Sequence, residues 1–165
     1  MKQRLGLLMT WGLICQLMLA IPTAWCGNIA LQIVGSTSPD DILSWADDPS
    51  FNAPEAAKPM QVVSDQSVFL AFLVSGFTLN AGGDYDVVVH WSLKSPDGKT
   101  VLAKRDYAAA KGWAQSGGSL VMADPALKLT LESGDPPGIY RLTAEAVDRI
   151  GRTSVRAVYV FTLIF

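Results

Sequence analysis

The stretch that most restricts what this chain can become is its last, Asp135 to Phe165. Tyr140, Leu142, Ala144 and Ala146 alternate with Arg141, Thr143 and Glu145. Further on, Val155, Ala157, Tyr159, Phe161 and Leu163 form a second apolar set, with Arg156 and Thr162 among the residues between them. A side-chain period of two belongs to a strand with one buried face. Asp148-Arg149-Ile150-Gly151-Arg152 supplies a turn between the two runs. The pair is therefore a β-hairpin with one apolar face, and that face needs a second layer to cover it. The pattern predicts the closing pair of a sandwich core.

The preceding sequence has the same rhythm. Val68 to Phe77 is apolar on both faces, as in a central strand covered on both sides. Asn80-Ala81-Gly82-Gly83 is a turn, and Tyr85 to Leu93 a strand with Tyr85, Val87, Val89 and Trp91 on one face. Ser95-Pro96-Asp97-Gly98 is a tight turn with proline and glycine in favourable places. Thr100 to Arg105 completes that hairpin. Ala108 to Gly118, small and polar apart from Trp113, reads as a loop. Leu120 to Met122 and Leu127 to Leu131 read as two short strands or one bent one, and Ser133 to Gly138 as a turn.

Ahead of all this, Gly27 to Val34 is a short opening strand. The segment from Gly35 to Pro59 differs in character, with Pro39, Pro49, Pro54 and Pro59 and the acids Asp40, Asp41, Asp47 and Asp48. Ser38-Pro39 followed by two aspartates is a helix-start signal: a capping hydroxyl, a preset first residue, and acids facing the positive helix end. About two turns are expected, with Ile42, Leu43 and Trp45 available to pack. The remainder is an irregular acidic connection, long for a compact domain.

Lys2 and Arg4 precede an almost unbroken apolar run, Leu5 to Ile21, which ends at Pro22-Thr23-Ala24-Trp25-Cys26. A basic start, an apolar middle and a short end with small residues describe a secretory signal peptide, favoured over a retained membrane anchor. The expected division is a signal peptide at 1–26, an N-terminal strand and acidic segment at 27–59, and a β-sandwich at 60–165, the last two forming one domain. The expected location is periplasmic or secreted. A lipid on Cys26 is the alternative, but Thr23 and bulky Trp25 stand where a lipid-attachment signal wants a Leu-like and a small residue. Cys15 lies inside the apolar run, so the mature domain has no internal disulfide and depends on its core. About 140 residues can bury enough apolar surface for that. Lys2 and Arg4 are two of the 13 basic residues; the other eleven face 15 acidic ones. No basic patch with interleaved aromatics occurs along the sequence, so nucleic acid is not an expected partner.

Two constellations resemble the immunoglobulin-like sandwiches of exported bacterial proteins. Asp135-Pro136-Pro137-Gly138-Ile139-Tyr140-Arg141-Leu142, followed by Ala144, Ala146 and Asp148, is similar to the "G-x-Y" start of that family's penultimate strand, with an aspartate at its far end. Trp91 resembles the tryptophan buried in its central strand. The resemblance implies that the Tyr140 hydroxyl is tied to upstream backbone. It also implies that apolar residues such as Phe72 and Leu142 stand where antibody domains carry cysteines. The fold class expected is all-β: an antiparallel immunoglobulin-like sandwich of seven to eight strands, with a short helical turn in the N-terminal insert. Trp91, Tyr140, Leu142 and Phe161 are its expected core.

Chemistry is hard to find in the sequence. The single histidine, His90, alternates with Trp91 and so faces away from it; alone it makes neither a zinc site nor a triad. It reads as a plain sheet-face histidine. There is no G-x-S-x-G elbow and no phosphate-cradling glycine loop. The acids Asp40, Asp41, Asp47 and Asp48 do not have EF-hand spacing. Asp84, Asp86 and Asp148 could converge at one end of a sandwich, but turn and surface roles explain them better. The C-terminal phenylalanine after alternating hydrophobics resembles the ending of outer-membrane barrels, although the short, irregular middle strands suit a sandwich instead. No catalytic residue, metal or cofactor is expected. The expected function is a non-enzymatic binding or structural module of the cell envelope, its partner an envelope protein or glycan engaged through an open strand edge or the acidic segment. The alternative is a carbohydrate-binding accessory domain, with Trp45 or Trp113 as an aromatic platform.

Overall fold

The structure is a computed structural model. It describes residues 28–47 and 60–165, except for the side chains of residues 44–47. The expected signal peptide, Cys26 and the end of the acidic segment lie outside the described residues. Eight strands and one helix follow in the order β1 (Ala30–Ser36), α1 (Pro39–Asp47), β2 (Met60–Val63), β3 (Ser67–Ser75), β4 (Asp84–Lys94), β5 (Thr100–Trp113), β6 (Val121–Thr130), β7 (Gly138–Asp148) and β8 (Thr153–Ile164). One sheet is β1-β3-β6 and the other β5-β4-β7-β8-β2. A single bridge, Ala109 with Asp124, joins them. The fold is all-β and immunoglobulin-like. Its pairings are antiparallel except for β2, which lies parallel to β8 at the sheet edge. The chain thus leaves β1 on one sheet and returns as β2 on the other.

The alternation read from the sequence is the register observed. Tyr140, Leu142, Ala144 and Ala146 of β7 and Tyr159, Phe161 and Leu163 of β8 face the interior and are buried. Phe72, Val87, Val89, Trp91 and Leu93 belong to the same core. The Tyr140 and Phe161 rings stack 5.6 Å apart, and Trp91 meets Tyr107 edge to face at 5.8 Å. Tyr140 donates its hydroxyl proton to the carbonyl of Pro136 at 2.9 Å, the corner expected of it. The apolar outer face of β3 is covered too: Ala71 and Leu73 pack with Val34 and with Ile42 of α1. Ser38 caps that helix, its Oγ accepting from the Asp40 amide at 3.3 Å. Leu43, expected to pack, points outward and is exposed.

One expectation about the strands needs correction. Ala108 to Gly118 is not a loop as far as Trp113, because β5 runs on unbroken to that residue. Ala108 and Ala110 are buried opposite Val89 and Val87. Small side chains there fit where β5 crosses toward the other sheet, so packing overrides weak strand propensity. Of the two readings left open for Leu120 to Leu131, the bent strand is the one observed: β6 covers Val121–Thr130, and its register against β3 shifts between Leu70 and Phe72. Pro125 falls in the extra residues of that bulge, where its missing N–H costs no ladder bond.

At the far end of β7, Asp148 is buried and saturated with donors. Its Oδ2 accepts from the Thr78 amide at 2.8 Å, and its Oδ1 accepts from the amides of Ile150 and Gly151, both at 2.9 Å. Gly151 must stay small: a Cβ there would lie 2.1 Å from Thr78 Oγ1 and 2.6 Å from Asp148 Oδ2.

Removing the Asp148 carboxylate leaves three amides without acceptors, so Asp148→Ala should lose about 3–5 kcal/mol. Trp91→Ala, which empties a ring-sized space, should lose a similar ~3–5 kcal/mol. Urea denaturation measures both, and an unchanged midpoint in either variant would contradict the role given to that residue. Burial also raises the phenol of Tyr159 above its ordinary value near 10. For Tyr140 burial acts first, with Asp135 and Asp97 adding to it. The fold favours the neutral phenol, so this contribution is intact below the unfolded value and is lost as pH rises through the folded one. Melting temperature should hold to about pH 10 and fall above it, less steeply in Tyr159→Phe. A fall of the same steepness in that variant would assign the alkaline loss to other groups.

Candidate functional site

The outward side chains of the larger sheet build a surface groove of about 450 Å³, lined by β4, β5, β7 and β8. Register places Ser92 opposite Ala103 on one side and Thr143 on the other, with Glu145 next to both His90 and Arg156. Because β4 and β7 are paired on both sides, their backbone is occupied and the groove floor offers side chains only.

A bulge shapes one wall. Between the pairs Val89–Ala108 and Trp91–Lys104, β4 contributes only His90 while β5 contributes Arg105, Asp106 and Tyr107. Such a bulge leaves an amide without a ladder partner and redirects neighbouring side chains. Here the His90 side chain takes the amide: Asp106 N–H donates to His90 Nδ1 at 2.8 Å. Asp106 sits at φ 47°, a left-handed conformation that aspartate tolerates better than most residues. Its Oδ1 accepts from Arg149 Nη2 at 2.9 Å. With Nδ1 accepting, the neutral imidazole must carry its proton on Nε2, which makes that edge a donor.

The groove is basic. Lys94, Lys104, Arg105 and Arg156 line it, against Glu145 alone among the acids. Two of these cations are engaged: Arg156 pairs with Glu145 at 3.3 Å, and Lys104 Nζ lies 5.5 Å from the centre of the Tyr107 ring. Glu145 also accepts from Ser154 Oγ at 3.2 Å. Lys94 and Arg105 are exposed and have no carboxylate partner among the described residues. This concentration of positive charge stands on a chain of net charge −2.

The residues singled out from sequence are dispersed. Trp91, Tyr140, Leu142 and Phe161 are core residues, and Trp91 also borders the groove. Trp113 ends β5 with 63% of its surface exposed. It lies against Gly83, where a Cβ would come within 2.5 Å of its Nε1. Trp45 belongs to α1, but its side chain lies outside the described residues. Asp84, Asp86 and Asp148 each have their own partners: Asn80, Lys111, and the amides of Thr78, Ile150 and Gly151. Asp41 accepts from the Ser36 hydroxyl. The side chain of Asp47 and the whole of Asp48 lie outside the described residues. No group of three or more histidine, cysteine or acidic side chains able to hold a metal occurs among the described residues. No helix among them is long and apolar enough to cross a membrane. Sequence reasoning missed Lys94, Arg105 and Arg156. Their only signal was a cation on the polar side of three separate strands, which strand order alone brings together.

The sequence matches no protein-family model and no curated protein. Solved structures do resemble the fold. One is a family 123 glycoside hydrolase from Clostridium perfringens, with TM-score 0.51 and 10% identity over 82% of this chain and 27% of that one. Another is the alkylpurine DNA glycosylase AlkC of Pseudomonas fluorescens, with TM-score 0.46 and 12% identity over 84% and 31%. A third is a CARDB domain from Pyrococcus furiosus solved with di-metal ions, with TM-score 0.43 and 10% identity over 82% and 89%. This chain therefore spans about a quarter of the hydrolase and a third of the glycosylase. The first likeness concerns the fold alone, and the other two are too distant to add to it.

If His90 satisfies the bulge, His90→Ala should expose the Asp106 amide and lower stability by about 1–2 kcal/mol. Amide hydrogen exchange at Asp106 should accelerate while exchange in β7 is unchanged. Unaltered protection at Asp106 would mean that the bulge does not depend on the imidazole.

Proposed function

We propose that this protein is an exported, non-enzymatic immunoglobulin-like module of the bacterial cell envelope, which binds a partner through the outer face of its larger sheet. The observation that carries the reading is the groove: a basic face on doubly paired strands, with Lys94 and Arg105 left without counter-charges among the described residues and His90 held in place by the Asp106 amide. Binding sites gain from donors already held in place, because less ordering is needed when a partner arrives. Among the described residues, no histidine or carboxylate is hydrogen-bonded to the hydroxyls lining the groove, Ser92 and Thr143, in a way that would make a nucleophile. The export part of the reading rests on the basic, apolar and small-residue sequence of positions 1–26.

A carbohydrate-binding accessory domain is the second reading. The exposure of Trp113 favours it, since an indole open to solvent offers a face for a sugar ring.

The test uses the full-length protein with a C-terminal tag in its own host. The expected result is a processed form in the envelope fraction, lacking about the first 26 residues, that retains a partner on affinity purification. Lys94→Glu combined with Arg105→Glu should release that partner without changing the melting temperature. An unprocessed cytoplasmic product would overturn the export reading, and a partner retained by the double variant would overturn the groove as the contact. Quenching of tryptophan fluorescence by a neutral oligosaccharide, abolished in Trp113→Ala, would move the ligand to the second reading.

A further inference from the structure

The chemistry of the groove narrows what it can hold. We infer that it binds the carboxylate of an acidic sugar, a uronate residue, with Arg105 and Lys94 taking the charge and His90, Ser92 and Thr143 taking ring hydroxyls. This rests on the reading of the groove as the binding surface.

Three observations lead there. The first is charge: Lys94 and Arg105 lack anionic partners among the described residues, while the cations already engaged, Arg156 and Lys104, sit beside them. An arginine fork matches a carboxylate with two parallel hydrogen bonds, and a lysine adds a point charge. The second is the remaining lining. Ser92, Thr143 and His90 are polar and half-buried, and only Ala103 and the edge of Trp91 are apolar. The stems of the long side chains add apolar surface, so the walls are mixed. A sugar ring, with hydroxyls at its edge and C–H groups on its faces, suits such walls better than a fatty acid, whose long chain needs a continuous apolar wall. With Nδ1 committed to the Asp106 amide, His90 presents Nε2–H as a donor. Glu145, bonded once at each oxygen by Ser154 and Arg156, keeps acceptor capacity on both for sugar hydroxyls.

The third observation is the state of the backbone. A peptide recognised by a sheet gains most from main-chain bonds at an open edge. The groove floor, β4 and β7, has neighbours on both sides and offers none. A compact ligand that needs only side-chain donors fits better, and about 450 Å³ lies within the range of small-molecule sites.

The experiment is calorimetry and amide chemical-shift mapping of the mature protein with digalacturonate at low salt. Expected are shifts confined to β4, β5 and β7 around His90, Ser92, Arg105 and Thr143, and an affinity that falls about tenfold in Arg105→Gln and again in Lys94→Gln. Binding should be largely lost near ~0.5 M salt, where charges are screened. Melting temperatures of the variants should match the parent. Cellobiose, the neutral comparison, should leave the groove unperturbed. The inference is overturned if cellobiose binds as well, if inorganic phosphate or an oligoglutamate peptide binds more tightly, or if digalacturonate at about 10 mM moves no groove resonance. It is equally overturned if the shifts gather around Trp113. Should the uronate fail while an envelope partner still depends on Lys94 and Arg105, the ligand class is wrong and the groove remains the contact. Failure of both discards the groove itself.

Discussion

Strand β7 is fixed at both ends, and the larger sheet is built outward from it. At its start the Tyr140 hydroxyl reaches back to Pro136; at its end Asp148 gathers three amides from two separate turns. A buried carboxylate is costly unless its lone pairs are met, and these are met by backbone donors that the turns would otherwise leave unpaired. The same contacts tie Thr78, in the connection from β3 to β4, to the β7–β8 turn. These contacts hold the register at both ends of the strand. A slip of one residue would expose Tyr140, Leu142, Ala144 and Ala146 and bury Arg141 and Glu145.

That frame was the most legible part of the sequence. Gly138, Tyr140 and Asp148 were legible through their resemblance to the penultimate strand of immunoglobulin-like sandwiches, and the alternation on either side of Asp148 gives both strands. The two-sided apolar run at Val68 to Phe77 was equally readable, because Ile42 of α1 packs on the face that solvent would otherwise meet. The second half of β5 was hidden for a physical reason. Ala108, Ala110 and Gly112 carry little strand propensity, and it is the ladder to Val89, Val87 and Tyr85 of β4, with burial of the two alanines, that holds them in a strand. The parallel β2–β8 pairing was hidden too, since four residues, Met60–Val63, meet a strand about a hundred positions away.

The groove was invisible for a related reason. Lys94, Arg105, Glu145 and Arg156 are unremarkable as isolated polar positions on four strands. Only the lateral order β5-β4-β7-β8, which is not the chain order, makes neighbours of them. The low net charge of the chain concealed the site further, because composition averages a basic face against acids elsewhere such as Asp97, Asp135 and the Gly35–Pro59 segment. Asp97 shows how differently those acids are placed. Lys99, with Ser95 helping, holds its carboxyl down to about 2, so its charge is spent within its own turn.

His90 joins the frame to the groove. A histidine chosen only to face solvent would need no particular orientation, yet this one is locked by accepting the amide that the β5 bulge releases. The bulge in turn places Asp106 in a left-handed conformation, where its carboxylate meets Arg149 beside the Asp148 turn. Strain of this kind persists only where its surroundings hold it in place. The chain of contacts runs from the Asp148 amides through Arg149 and Asp106 to the imidazole that borders the groove. The donor presented there is thus oriented by the same turn that fixes β7, which is why a surface side chain on this sheet can have one geometry rather than many.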